Sequence, residues 1–241
     1  MSEILFISDL HLAPERPDII QLYLKFLHEQ ARFAKRLYIL GDFVEYWLGD
    51  DDRAQELEPV FAKMKQLADA GLKIYLMHGN RDFLMGEAFA ERCGCTLISD
   101  PTVDNLNQHS ALLMHGDTLC TDDVRYQELR VMLRNPQWQQ DFLAKPLAER
   151  ELMAKALREQ SKEETQAKQA EIMDVNADAV AQAFIEHDVS LMIHGHTHRP
   201  AIHSLQVNGQ PVIRIVLGDW YETGSYLAFD ADGQYQLKEY A

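Results

Sequence analysis

Ser190-Leu191-Met192-Ile193-His194-Gly195-His196-Thr197-His198-Arg199-Pro200 runs from a short apolar segment directly into three histidines, with an arginine behind them. Apolar runs of this length read as buried strands. His196 and His198 stand at i and i+2 just beyond the run, so an extended backbone puts both imidazoles on one side, where they can bind a metal together. One such pair cannot hold a metal alone, and the remaining ligands have to come from elsewhere in the chain.

Other apolar runs end in the same way. Ile4-Leu5-Phe6-Ile7 leads into Ser8-Asp9-Leu10-His11, residues 37–40 into Gly41-Asp42, and residues 74–77 into His78-Gly79-Asn80-Arg81-Asp82. Residues 111–114 lead into His115-Gly116-Asp117, and residues 212–217 into Gly218-Asp219-Trp220. Helical spacing of apolar residues fills 18–34, 57–70 (closed by Gly71) and 86–93, with further strands expected near Leu97, at 226–229 and at 235–238. Strand, helix and strand in alternation predict an α/β sheet, and such sheets bind ligands beyond the carboxyl ends of their strands. Asp9, His11, Asp42, Asn80, His115, His196 and His198 all fall there. Carboxylate, amide oxygen and imidazole without thiolate suit two borderline metals such as manganese, iron or zinc. Singly, each residue has a plain structural use as a cap, turn or core histidine; seven at strand ends favour a ligand set.

Composition narrows the function further. A net charge of −15 argues against a nucleic-acid binder that works by general attraction to phosphates. A local metal cluster can nevertheless override that field for a phosphate substrate. No run approaches the length of a membrane span and no signal-peptide pattern precedes Asp9, so a cytoplasmic protein is expected. Cys93, Cys95 and Cys120 lack zinc-finger or thioredoxin spacing and read as buried reduced thiols. We expect a single domain over residues 1–241 with a helical insertion at about 123–174. Helix formers dominate there, and Pro136 and Pro146 divide the segment. Residues 125–168 carry nine basic and seven acidic side chains, a positive excess in an acidic chain.

In the order Asp9-Leu10-His11, Gly41-Asp42, Gly79-Asn80-Arg81-Asp82, His115-Gly116-Asp117 and Gly195-His196-Thr197-His198, the motifs resemble those of the calcineurin-like metallophosphoesterases. The resemblance implies a four-layer αββα sandwich with a dimetal site at the carboxyl ends of the strands. It puts Asp9, His11, Asp42 and His198 on one metal and Asp42, Asn80, His115 and His196 on the other. Two bridged cations can activate a water and clamp a phosphoryl oxygen without any protein nucleophile. Asp82 and Asp117 are expected to cap backbone or orient imidazoles, and His78 and His194 to face away from the metals.

Many members carry histidine after the ligand asparagine, where it can protonate a leaving group; here Arg81 stands there. Arginine stays charged and is a poor acid. A leaving group that needs no proton is therefore favoured, such as the phosphate released from a pyrophosphate bond. The longer matches at 79–84, 115–123, 161–168, 172–176, 195–201 and 216–220 resemble the branch that acts in bacterial lipid A biosynthesis. That resemblance implies hydrolysis of UDP-2,3-diacylglucosamine to UMP and 2,3-diacylglucosamine 1-phosphate by metal-activated hydroxide attack on the α phosphorus, usually with two Mn2+ ions. Asn80, Arg81 and His196 would serve catalysis. Asn80, Arg81, Asp123, Ser161, Thr165, Lys168 and His196 would contact substrate, with Arg158 a further candidate.

The insertion also supplies Leu129, Met132, Leu133, Trp138, Phe142, Leu143, Leu147, Leu152, Met153 and Leu157, apolar residues able to line a trough for acyl chains. Its basic surplus suits docking on an anionic bilayer, so peripheral binding at the cytoplasmic face of the inner membrane is expected, with no nucleic acid and no obligate protein partner. The alternatives are a soluble nucleotide pyrophosphatase or phosphodiesterase of the same fold, and a non-catalytic member that binds a partner.

Overall fold

The computed structural model of the chain describes residues 3–107, 109–167 and 174–241, the side chains of 158–167 excepted. Alternation along β1 (Ile4–Ile7) sets the layers: successive strand side chains point to opposite faces, so Leu5 and Ile7 enter one core while Ile4 and Phe6 enter another. β2 (Arg36–Leu40) repeats the division, with Leu37 and Ile39 on the first face and Tyr38 and Leu40 on the second. β1 and β2 pair in parallel, as do β2 and β3 (Lys73–Met77), and β3 and β4 (Cys95–Ile98).

The second sheet uses β5 (Thr102–Leu106), β6 (His109–Leu113), β7 (Leu191–His194), β8 (Ala201–Val207) and β9 (Gln210–Val216). Its order is β5-β6-β7-β9-β8. β10 (Gly224–Phe229) and β11 (Tyr235–Tyr240) return to the first sheet, which runs β11-β10-β1-β2-β3-β4. Ile4, Phe6, Leu40 and Met77 of one sheet pack on Leu113, Ile193 and Ile215 of the other.

Helices cover the outer faces. α1 (Pro17–Glu29), α2 (Glu58–Asp69) and α3 (Glu87–Cys93) bring Ile19, Tyr23, Phe26, Val60, Phe61 and Phe89 against the first sheet. Pro17 opens α1, where its missing N–H costs nothing, and Gly94, in the left-handed region at φ 67°, closes α3. After α4 (Val124–Leu133), α5 (Pro136–Leu143) and α6 (Leu147–Ala167) comes α7 (Ala177–His187), which lays Val180, Ala183 and Phe184 on Leu112, Met192 and Val212. The result is the αββα sandwich.

Several expectations need adjustment. The helical pattern at 18–34 breaks after Glu29 into a separate turn of 3-10 helix at Ala31–Phe33. β5, β8 and α7 were not anticipated. Cys93, Cys95 and Cys120 are free thiols, but Cys95 is only half-buried. Of the insertion's apolar residues, some expected to line a trough and others to pack as core, Phe142 is buried and Trp138 and Met153 pack on the main core as core residues, while Met132, Leu143, Leu147 and Leu152 face outward. A short helical hairpin cannot bury every apolar side chain at once. α6 is tethered through Arg150, which is buried and donates from Nη1 to Asp51 Oδ1 at 2.7 Å and to the Leu48 carbonyl.

Phe6 lies between the sheets with no exposure, stacked on Tyr38 at 4.8 Å and edge-on to Phe229 at 5.7 Å. Truncation there removes a large buried ring that its neighbours cannot replace. Phe6→Ala is expected to cost about 3–5 kcal/mol in urea unfolding followed by circular dichroism.

Candidate metal centre

The site is built where the chain leaves β1, β2, β3, β6 and β7. Hydrogen bonds zip the first two exits together, from Asp9 N to the Gly41 carbonyl and from His11 N to the Asp42 carbonyl, both at 3.0 Å. Past the strands the backbone turns left-handed at residues that are not glycine: Asp9 (φ 55°), His11 (φ 49°), Asp42 (φ 50°), His196 (φ 67°) and His198 (φ 55°). Such conformations are uncommon for side chains larger than glycine and cluster at functional sites.

This corrects the reading of Gly195-His196-Thr197-His198 as extended with both rings on one side. The rings diverge. His196 Nδ1 meets Asn80 Oδ1 at 3.0 Å and its ring sits 5.0 Å from that of His115, whose Nε2 is also 3.0 Å from Asn80 Oδ1. His198 turns the other way, with Nε2 3.4 Å from Asp9 Oδ1, Nδ1 3.1 Å from Asp219 Oδ2, and its ring 5.4 Å from that of His11.

The ligand-type residues are thus brought together in two groups. Donor atoms of Asp9, His11 and His198 lie within 4.8 Å of one another, and so do those of Asp9, Asp42 and His115. His11 Nε2 is 3.7 Å from Asp42 Oδ2, and His115 Nε2 is 3.8 Å from Asp42 Oδ1. These separations are long for hydrogen bonds yet close to the ~3–3.5 Å between two donors that each sit about 2.1 Å from one cation. Asp9 Oδ1 and both ring nitrogens of His11 are buried without a hydrogen bond, although Glu45 Oε2 stands 3.0 Å from His11 Nδ1. Buried polar atoms left without partners are costly, and here a cation satisfies them. The residues fit divalent metal ions.

Supporting contacts fix the carboxylates. Ser8 Oγ and His196 N donate to Asp9 Oδ2 at 2.5 and 2.9 Å, and Arg81 N donates to Asp42 Oδ1 at 2.9 Å. His115 Nδ1 sits 2.9 Å from the Leu40 carbonyl, which leaves Nε2 for the centre. Asp82 caps backbone, accepting from Phe43 N and Gly79 N at 2.7 Å. Among the described residues Asp117 is bonded not to an imidazole but to Tyr126 Oη and Arg130 Nε, which donate to it at 2.5 and 2.7 Å. His78 Nε2 meets the Met85 carbonyl and His194 Nδ1 the Gly195 carbonyl, so neither joins the cluster.

The electrostatics call for positive charge. Burial opposes ionisation of Asp9, but the imidazole of His198, 3.4 Å from Oδ1, with charge from His115 and His11, holds its carboxyl well below the usual range. Burial also works against a charged His115, yet Asp42, Asp117 and Asp9 push it up to about 9. For His198 the burial effect is outweighed by Asp219 and Asp9, which push it up to about 10. His196, dominated by burial and by His115, falls to about 4. The acidic surroundings that raise His115 and His198 would equally favour a bound cation.

Beside the cluster, Asn80, Arg81 and Tyr126 border a groove of about 850 Å³, measured out into open solvent. Leu129, Leu133, Trp138, Phe142 and Leu157 give it an apolar wall. Arg81 points in from the metal end, its Nε buried without a partner and its Nη1 3.6 Å from Glu45 Oε1. Asp123 stands at the N-cap of α4, accepting from Tyr126 N at 3.1 Å. The expected substrate contacts Ser161, Thr165 and Lys168, and Arg158 with them, lie outside the residues whose side chains are described.

Glu45, Tyr126 and Tyr221 were not anticipated. Tyr221 stacks on His11 at 5.5 Å, and its ring lies 5.6 Å from that of His198. Asp219 carried a signal, because Gly218-Asp219 repeats the strand-end pattern of Gly41-Asp42.

Fold and site define a class. The description "Calcineurin-like phosphoesterase" belongs to a family model that matches residues 2–200, and the chain belongs to that family. An archaeal phosphodiesterase of known structure shares the fold at a TM-score of 0.50 and 13% identity, covering 98% of both chains. More narrowly, the chain is 56% identical to the UDP-2,3-diacylglucosamine hydrolase of Marinobacter nauticus, over 90% of this chain and 89% of that one. It is 52% identical to the UDP-2,3-diacylglucosamine hydrolase of Pseudomonas paraeruginosa, over 97% of both.

A Cβ on Gly79 would stand 2.2 Å from both the backbone nitrogen and Oδ1 of Asp42. Gly79→Ala is expected to displace Asp42 and remove at least one metal equivalent, read as manganese per chain by mass spectrometry after dialysis. Wild-type metal content in a folded Gly79→Ala protein would contradict the placement of Asp42.

Proposed function

We propose that this protein hydrolyses the pyrophosphate bond of UDP-2,3-diacylglucosamine, releasing UMP and 2,3-diacylglucosamine 1-phosphate in lipid A biosynthesis. One observation carries the reading: the carboxylate and imidazole cluster opens, at Asn80 and Arg81, onto a groove walled by apolar side chains. A diphosphate at the cluster can place its acyl chains along that wall. The names of the relatives support the same substrate.

Asp9, His11, Asp42 and His198 would hold one divalent ion, and Asp42, Asn80, His115 and His196 the other, manganese in our reading. When bound, the pair supplies Lewis acidity and activates water. The chain's own residues do the rest. Water adds to the phosphorus next to uridine, and the bond to the bridging oxygen breaks. Arg81 faces the diphosphate with a permanent charge that stabilises the departing sugar phosphate, which needs no proton. Asn80 and His196 touch the same group. Asp123, Ser161, Thr165 and Lys168 are the proposed contacts to the rest of the substrate.

α4 to α6 form the proposed helical insertion, about 123–174, within a single domain. Val131, Met132, Leu143 and Leu152 of these helices are exposed, which supports peripheral binding at a membrane surface, in our reading the cytoplasmic face of the inner membrane. Among the described residues no helix is long and apolar enough to cross a membrane.

Turnover of UDP-2,3-diacylglucosamine, UDP-glucosamine and a cyclic nucleotide separates this reading from a soluble nucleotide pyrophosphatase or phosphodiesterase. At ~0.8 kcal/mol per buried methylene, even a few methylenes give about 100-fold in kcat/KM for the acylated substrate. Equal rates on all three would overturn the assignment. Asp42→Ala is expected to abolish turnover of each.

A further inference from the structure

A helix on a protein surface ordinarily keeps its place by burying an apolar stripe. α4 has no buried residue, and its Leu129 and Leu133 are turned to the groove. Polar contacts seat it instead, and they go to the two loops that carry Asn80 and His115. Tyr126 Oη and Arg130 Nε donate to Asp117 Oδ2 at 2.5 and 2.7 Å, and Gln127 Nε2 donates to the Asp117 carbonyl at 2.8 Å. Arg130 Nη2 also stands 3.7 Å from Asp100 Oδ2, and Asp100 Oδ1 accepts from His115 N at 3.3 Å.

One turn further on, at the C-terminal end of α4, Arg134 Nη2 donates to the Gly79 carbonyl at 2.8 Å, with its guanidinium over the Phe83 ring at 5.3 Å. A charged donor is spent there on backbone, where the bond is stronger than one between neutral groups. The carbonyl belongs to the planar peptide unit that ends at Asn80 N, so holding it fixes the direction in which Asn80 leaves the chain. Asp82 Oδ1 holds Gly79 N at 2.7 Å and Asp42 Oδ1 holds Arg81 N at 2.9 Å. The loop is thus gripped at both ends from the first sheet and between them from α4. At its tip, Asn80 Oδ1 is 3.0 Å from both His115 Nε2 and His196 Nδ1. None of these contacts of α4 reaches Asp9, His11 or His198.

We propose that Arg134, assisted by Arg130, is a positioning residue for the second metal ion: through the Gly79 carbonyl it sets Asn80 against His115 and His196, so the insertion that walls the groove also completes one half of the metal centre. This positioning rests on the division of ligands between two ions proposed above.

The chelated full chain, titrated with manganese by calorimetry, separates the two without any substrate. The wild type is expected to take up two equivalents. In Arg134→Met one of them is expected to weaken by about 10- to 100-fold, the range for groups that orient a ligand, while the other is unchanged. With two equivalents added, the manganese EPR spectrum of the coupled pair is expected to give way to that of isolated ions. Arg134→Lys, which keeps a charged donor, is expected to recover most of the loss. Asp51→Ala, which cuts the tether to Arg150 on α6, is expected to leave both equivalents in place. A wild type that takes up a single equivalent would sink the division of ligands and the positioning with it. Two equivalents in the wild type and both unaltered in folded Arg134→Met would overturn the positioning alone. Equal weakening of both equivalents, or the same loss in Asp51→Ala, marks a loosened insertion and overturns it too. Should Arg134→Met fail to fold, Arg134→Gln, whose amide is too short to reach the carbonyl, is judged by the same outcomes.

Discussion

Left-handed backbone at Asp9, His11, Asp42, His196 and His198 is the constraint on which the rest of the molecule depends. Each such residue costs roughly 1–3 kcal/mol and persists only where its surroundings over-determine it. Here the surroundings are the strand exits, tied by the bonds from Asp9 N to Gly41 and from His11 N to Asp42, and by Trp220 N donating to the Asp9 carbonyl at 3.1 Å. A chain that simply continued as strand would aim alternate side chains to opposite faces and scatter the donors. The turn at each exit gathers them.

That gathering needs two sheets in fixed relation, because the donors come from both. Asp9, Asp42 and Asn80 follow strands of the first sheet, while His115, His196 and His198 follow strands of the second. The apolar layer of Phe6, Leu40, Met77, Leu113, Ile193 and Ile215 holds the sheets together. Close approach at the seam then demands small residues: a Cβ on Gly195 would lie 2.3 Å from both Asp9 Oδ2 and Ser8 Oγ. Packing and chemistry are one problem here.

Much of this was legible in the sequence, for a physical reason. Strands buried on both faces read as unbroken apolar runs, so β1, β2, β3, β6, β7 and β9 stood out and their ends marked the site. The two edge strands of the second sheet did not. β5, Thr-Val-Asp-Asn-Leu, and β8, Ala-Ile-His-Ser-Leu-Gln-Val, alternate between half-buried and exposed positions and carry no such run. Backbone conformation was equally hidden, which is why His196 and His198 read as a same-side pair. Glu45 and Tyr221 sit in loops, and only the fold brings them to His11. The apolar wall of the groove was visible as composition, but which of its residues face the groove, the core or water depends on how α4, α5 and α6 pack.

In the proposed reaction the cluster at the strand exits directs water to one phosphorus of a diphosphate whose lipid half lies along the groove. Turnover of UDP-2,3-diacylglucosamine in ¹⁸O-water, with manganese present, tests it most directly. One ¹⁸O atom is expected in the UMP phosphate and none in the sugar phosphate. Label in 2,3-diacylglucosamine 1-phosphate, or no turnover by the manganese-loaded protein, would contradict it.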